Sequence, residues 1–66
     1  MKIVLNGQER DIDETASLAR LLEVAGYAGR RVAVEVNREI VPRSRHGDHP
    51  LAAGDRVEIV HAIGGG

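Results

Sequence analysis

One apolar stripe with helical spacing constrains this chain more than any other feature, because the apolar residues on either side of it follow strand-like patterns. The stripe falls at i, i+3, i+4 and i+7, on one face of a helix, and consists of Leu18, Leu21, Leu22 and Ala25. Ser17 can cap the first turn, and Gly26 can adopt the left-handed conformation that ends many helices. Such a short helix is marginal alone, so we expect it to pack against a sheet.

A β-hairpin is predicted before the helix. Residues 1–5 form a strand-like run that ends at Asn6-Gly7, the residue pair that best tolerates the positive φ angles of a type I′ turn. The return strand over residues 8–13 is mostly polar except for Ile12, as expected at the edge of a sheet.

Three further strands are predicted after the helix. Residues 32–36 alternate with period two and predict a central strand with Val32, Val34 and Val36 on the core face. A short run over residues 39–41 ends at Pro42 and indicates an edge strand. The last strand is predicted over residues 56–63. We therefore expect an α+β fold, a mixed sheet of four to five strands with one main helix across one face. Residues 1–63 form the domain, and residues 64–66 a flexible tail.

Size, charge and cysteine content exclude several classes of function. A chain of 66 residues buries only about 60% of its unfolded surface, which leaves no room for an enclosed active site. Nine basic against ten acidic residues create no field that would attract nucleic acid. The apolar run at the amino terminus is too short for a signal peptide or a membrane span. Because there is no cysteine, no disulfide or thiolate metal site is expected, and a cytoplasmic location is predicted.

The three terminal glycines, Gly64, Gly65 and Gly66, are the predicted seat of chemistry. Glycines add nothing to a core and lose the most entropy on ordering. A carboxylate on a residue without a Cβ can enter a channel too narrow for other residues, so the tail can deliver Gly66 into a partner's active site. The carboxylate becomes an acyl donor only after activation by ATP, and the chain has no phosphate-binding loop of its own. A frayed terminus is the alternative that composition leaves open.

Two polar clusters are interpreted as solvated loops. His46, Asp48 and His49, with His61 as a third imidazole, are a weak candidate for metal binding, and we predict no bound metal. The basic cluster that contains Arg43, Arg45 and His46, like Arg30-Arg31, is interpreted first as a solvated face and second as a docking site for an acidic partner.

A docking surface is predicted on the last strand. If Val57 and Ile59 face the core, Val60 and Ala62 are exposed beside Ile63 and the tail. The prediction is that Val60, Ala62, Ile63 and Arg43 contact partner enzymes. Isolated exposed aliphatic residues are the equally weighted alternative.

The chain resembles the ThiS family, the ubiquitin-like sulfur carriers of thiamine biosynthesis, over essentially its whole length. The particular similarities are Asn37 followed by Val41-Pro42-Arg43, together with the terminal diglycine. Less particular ones are the opening hairpin, the helix start, Val34-Glu35-Val36, the Gly54-Asp55 turn into the last strand, and Ile63 before the glycines. The resemblance implies a β-grasp fold. Only Gly65-Gly66 correspond to the family's usual pair, so Gly64 is an extra residue.

The resemblance also implies a reaction cycle in which this chain is a carrier and not an enzyme. An adenylating enzyme of the ubiquitin-activating type (ThiF-like) activates Gly66, sulfur from a donor such as a cysteine desulfurase converts it to a thiocarboxylate, and thiazole synthase (ThiG-like) receives the sulfur. ATP and its metal ion belong to the adenylating enzyme, and this chain binds no cofactor.

Three alternatives stay open. One is a carrier similar to the small subunit of molybdopterin synthase, although those chains tend to be longer. Another is a ubiquitin-like protein modifier, for which Lys2 is the single lysine available for chain building. The last is a binding module with an incidental tail.

Overall fold

The computed structural model describes residues 1–61 and has the predicted order of strands and α-helix, with a 3₁₀ helix that was not predicted. These are β1 (Lys2–Leu5), β2 (Gln8–Asp11), α1 (Leu18–Val24), β3 (Val32–Val36), β4 (Glu39–Ile40), a 3₁₀ helix (Arg43–Asp48) and β5 (Arg56–His61). The strands form one five-stranded sheet in the order β2-β1-β5-β3-β4. β1 and β5 are parallel and the other pairs antiparallel, which confirms the mixed sheet. The predictions for residues 62–66, including the boundary after residue 63, lie outside the described residues.

β3 is an interior strand, as the alternating valines predicted, and β5, the last described strand, is the middle strand of the sheet. β3 is an interior strand between β5 and the edge strand β4, and β2 is the other edge. Val34 and Val36 are buried as predicted, whereas Val32 at the start of β3 is only half-buried. The central position of β5 matters because it places β3 beside the strand that leads to the terminal glycines.

Two tight turns with positive φ angles join the hairpin strands. Asn6 and Gly7 have φ of 49° and 83°, as predicted for a type I′ turn. Asn37 and Arg38 have φ of 51° and 71°, so β3 and β4 are joined by a turn of the same kind with arginine where glycine is preferred. The Asn37 side chain ties this turn to β5, because its Oδ1 accepts from the Arg56 amide at 3.0 Å.

The helix packs across one face of the sheet, as its stripe predicted. The Ser17 hydroxyl accepts from the Arg20 amide at 3.2 Å, and Gly26 follows the helix at φ 88°, so both predicted ends are confirmed. Leu18, Leu21 and Leu22 are buried against the sheet. Within residues 1–61 no helix is long and apolar enough to cross a membrane.

The prediction of a solvated turn is wrong for His46. Its side chain is only 7% exposed, and Nε2 donates to the Val41 carbonyl at 3.0 Å. A carbonyl can only accept, so Nε2 carries the hydrogen. The neighbours Arg43, Arg45 and Asp48 are exposed, as predicted. The polar sequence gave no sign that His46 is buried. The segment is a 3₁₀ helix and not an open loop, and such a helix turns one side chain in three inward.

Candidate functional site

The solvent face of the sheet carries an apolar surface next to the end of β5. The register of β3 and β5 sets Val60 opposite Ala33. Val57 and Ile59 are buried and Val60 is 61% exposed, so the two faces of β5 separate as the alternation requires. The structure therefore places Val60 where a partner protein can touch it.

Ile40 extends this surface across the neighbouring edge strand. It is 72% exposed and pairs with Glu35 of β3, which in turn pairs with Glu58 of β5. Cross-strand partners project from the same face of a sheet. We name the resulting group the solvent-face patch, and its members are Ala33, Glu35, Ile40, Glu58 and Val60.

The solvent-face patch has an acidic centre. Glu35 and Glu58 lie directly opposite each other, and like charges in that arrangement destabilise a sheet. The three ion pairs found in residues 1–61 do not include Glu35 or Glu58, although Arg38 and Arg56 line the same groove as both carboxylates. The two carboxylates can pair with a lysine or arginine of a partner whose apolar side chain covers Val60.

The two predicted docking residues that the structure describes, Arg43 and Val60, lie on different sides of the sheet. Arg43 begins the 3₁₀ helix, which packs against α1 on the covered side of the sheet, whereas Val60 is on the solvent face. Ala62, Ile63, Gly64, Gly65 and Gly66 lie outside the described residues. Sequence reasoning also missed Ala33, Glu35 and Ile40. Alternation with the buried valines could have assigned Ala33 and Glu35 to the solvent face, but only the register shows that they meet Val60 and Glu58.

The histidines of the weak metal candidate serve other contacts. His46 holds the Val41 carbonyl, and the His61 ring lies 5.9 Å from the Tyr27 ring between centroids. In the described part of the chain, no group of three His, Asp or Glu side chains is close enough together to hold a metal ion.

Comparison with known proteins identifies the family. The sequence profile of the ThiS family matches residues 3–66. The chain belongs to the ThiS family. The sulfur carrier protein ThiS of Bacillus subtilis is 35% identical over 63 residues, which cover 94% of this chain and 96% of that protein. The crystal structure of the thiamine biosynthesis protein ThiS from Geobacter metallireducens superposes with a TM-score of 0.86 at 30% identity and covers 100% of both chains. The five-stranded sheet with its single α-helix is accordingly the β-grasp fold of ThiS.

Thiazole synthases also contain a ThiS-like segment. The thiazole synthase of Paramagnetospirillum magneticum is 46% identical over 66 residues, and that of Magnetococcus marinus is 42% identical over the same length. The match covers 100% of this ThiS-family chain, which spans only 20% of the length of each of those proteins.

Proposed function

We propose that this chain is a sulfur carrier of thiamine biosynthesis, that it is not itself an enzyme, and that the carboxylate of Gly66 is its reactive group. The observation that carries the proposal is the family match, which runs through the three glycines to residue 66. The Bacillus subtilis relative, which is similar over 96% of its own length, is named a sulfur carrier. A core filled by aliphatic side chains is consistent with chemistry at the chain end.

The proposed chemistry begins with activation of Gly66. An adenylating enzyme of the ubiquitin-activating type (ThiF-like) joins the carboxylate to the α-phosphate of ATP and releases pyrophosphate. The acyl-adenylate has a good leaving group, so the outer sulfur of a persulfide on a donor such as a cysteine desulfurase displaces AMP and forms an acyl disulfide. A thiol then reduces the S–S bond, which leaves the thiocarboxylate on Gly66 and forms a disulfide between the thiol and the donor cysteine. ATP and its metal ion bind to the adenylating enzyme. This chain supplies the acyl carbon and the surface by which it is held.

The proposed acceptor of the sulfur is thiazole synthase (ThiG-like). In two bacteria a segment similar to this chain is part of a polypeptide named thiazole synthase. Joining a carrier to its acceptor raises the effective concentration of one for the other. The similarity of 46% to such a segment supports the same pairing for this chain.

Docking is proposed to use the solvent-face patch. Val60 lies on β5, the strand that precedes the glycines in sequence. An enzyme that binds Val60 and the neighbouring Ala33 therefore also positions the start of the terminal segment. Glu35 and Glu58, for which no ion pair is found within residues 1–61, then favour a partner with a basic side chain at that place. Gly64 and Gly65 have no Cβ and let Gly66 enter a narrow channel.

Intact mass spectrometry tests the reactive group. The chain is incubated with its adenylating enzyme, ATP, a cysteine desulfurase, cysteine and a thiol reductant. We expect a mass gain equal to the replacement of one oxygen by one sulfur. Adducts on Lys2 or on target proteins would instead indicate a protein modifier, and an unchanged mass with active enzymes would overturn the carrier function.

A variant that lacks Gly65-Gly66 is the matched control. It should keep the thermal stability of the full chain and show no mass change, because it retains every residue of the described buried cluster and lacks the proposed reactive carboxylate. A normal mass gain in this variant would contradict the assignment of Gly66. Loss of folding would contradict the proposed independence of the tail from the core.

A further inference from the structure

A cavity opens on the side of the sheet that carries the helix. It has a volume of about 310 Å³ and lies between α1, the loop that follows it and the 3₁₀ helix. Its apolar wall includes Leu22, Tyr27 and Val32, and its polar wall Arg30, Arg43 and His46. We name it the helix-side cavity. This volume is at the lower end of the range for small-molecule pockets, which begins at about 300 Å³, so a large side chain fits inside it.

The charge of the helix-side cavity is positive. Arg30 and Arg43 are exposed, and neither takes part in the ion pairs found within residues 1–61. Glu23 is the carboxylate at the rim, and it already pairs with Arg20 at 3.3 Å. No ion pair within residues 1–61 uses either guanidinium group, and each of them has the planar set of N–H donors that can bind a carboxylate through two hydrogen bonds.

The buried side chain of His46 is an anchored part of the cavity wall. His46 is held by its bond from Nε2 to the Val41 carbonyl at 3.0 Å, so the ring cannot rotate without breaking a buried hydrogen bond. Leu22 is part of the core on the opposite wall. A cavity between two anchored walls needs little reorganisation when it is filled, which favours binding.

The position of the cavity connects it to the end of β5. Val32 is the register partner of His61, and the Tyr27 ring lies 5.9 Å from the His61 ring. An occupant of the cavity therefore lies close to the last described residue before the terminal segment. The solvent-face patch lies on the other side of the sheet, so one occupant does not obstruct the other.

We propose that the helix-side cavity is a second docking site, which binds an acidic segment of a partner protein by one apolar side chain with a carboxylate beside it. The apolar wall favours a peptide over a free anion, because an inorganic ion would contact the arginines and leave Tyr27 and Val32 in water. The identity of the partner as an enzyme that acts on Gly66 rests on the proposed function. The binding of an acidic segment to the cavity does not depend on it. A chain held at the cavity by one enzyme keeps its solvent-face patch available to the next.

The test is an NMR titration of the ¹⁵N-labelled full chain with a short peptide that has one leucine flanked by aspartate and glutamate. A second peptide with lysine at the acidic positions is the matched probe. We expect amide shifts confined to the cavity residues for the acidic peptide alone. Arg30→Glu combined with Arg43→Glu should weaken its binding roughly tenfold or more, and the charge-matched pair Arg38→Glu with Arg56→Glu on the other face should not.

Four outcomes would overturn the proposal. Two of them concern specificity: the lysine peptide binds as tightly as the acidic one, or the Arg38 and Arg56 control loses as much affinity as the Arg30 and Arg43 variant. In the other two, inorganic phosphate causes the same shifts at similar affinity, or the shifts caused by the acidic peptide are centred on the solvent-face patch. If deletion of Gly65-Gly66 raised the affinity roughly tenfold, the occupant would be the chain's own carboxyl end and the proposal would also fall. None of these results alters the mass gain expected at Gly66, so failure of this proposal is distinguishable from failure of the carrier function.

Discussion

Glu58 of β5 lies directly opposite Glu35 of β3 on the solvent face of the sheet. The pair is flanked by exposed aliphatic residues, with Ile40 beside Glu35 and Val60 two residues beyond Glu58. Folding gains nothing from two like charges in this position. A surface that combines an unfavourable charge pair with exposed apolar groups favours the binding of another protein more than it favours the stability of the fold.

Replacing Glu58→Lys should therefore raise stability and lower function. The new pair with Glu35 has opposite charges, and the free energy of unfolding should rise by about 0.2–1 kcal/mol, measured by urea denaturation. The KM of the adenylating enzyme for this chain should rise, because the partner's basic side chain now meets a cation. Glu9→Lys on the edge strand β2 is the charge-matched control and should leave KM unchanged. An unaltered KM for Glu58→Lys would contradict the docking role of the pair.

Val60→Asp should weaken docking without unfolding the chain. Val60 is 61% exposed, and substitutions at exposed positions usually change stability by no more than about 0.5 kcal/mol. Binding to the adenylating enzyme, measured by isothermal titration, should fall markedly because the apolar contact is replaced by a charge. Val57→Asp, three residues away and only 1% exposed, should by contrast be too unstable to fold. A large drop in melting temperature for Val60→Asp would show that the residue belongs to the core.

Arg38→Gly should stabilise the chain. Arg38 has φ of 71°, a conformation that costs a residue with a Cβ about 1–2 kcal/mol, while glycine adds about 0.5–1 kcal/mol of entropy to the unfolded state. The net gain should be about 0.5–1 kcal/mol in urea denaturation. Arg45→Gly makes the same change in the 3₁₀ helix, outside the positive-φ residues, and should destabilise. A loss of stability in Arg38→Gly would mean that its side chain, and not its backbone, determines the turn.

Local patterns predicted the fold well, because each element carries its own signal. The helical stripe, the Ser17 cap and the Asn6-Gly7 turn depend on neighbours in sequence, and all three are confirmed. The exposure of Val60 followed from its alternation with Val57 and Ile59.

What the sequence could not predict depends on pairing between distant segments. The meeting of Glu35 with Glu58 depends on the register of β3 against β5, which no short window contains. The separation of Arg43 from Val60 depends on which side of the sheet the 3₁₀ helix packs. Burial of one polar residue within a polar segment cannot be predicted unless its hydrogen-bond partner is known. For His46 that partner is the carbonyl of Val41.

His46→Phe should destabilise the chain although it keeps a ring of similar shape. The Val41 carbonyl accepts from His46 Nε2 at 3.0 Å, and Val41 is itself buried. Removing the donor leaves a buried acceptor unpaired, which costs about 1–3 kcal/mol. Urea denaturation should show a lower midpoint with an unchanged slope, because the extent of unfolding is the same. His49→Gln, at a half-buried histidine three residues away, should shift the midpoint far less. Equal effects of the two substitutions would mean that burial of the ring, and not its hydrogen bond, stabilises the 3₁₀ helix. The helix-side cavity would then lack the anchored His46 side chain on which the second docking site depends.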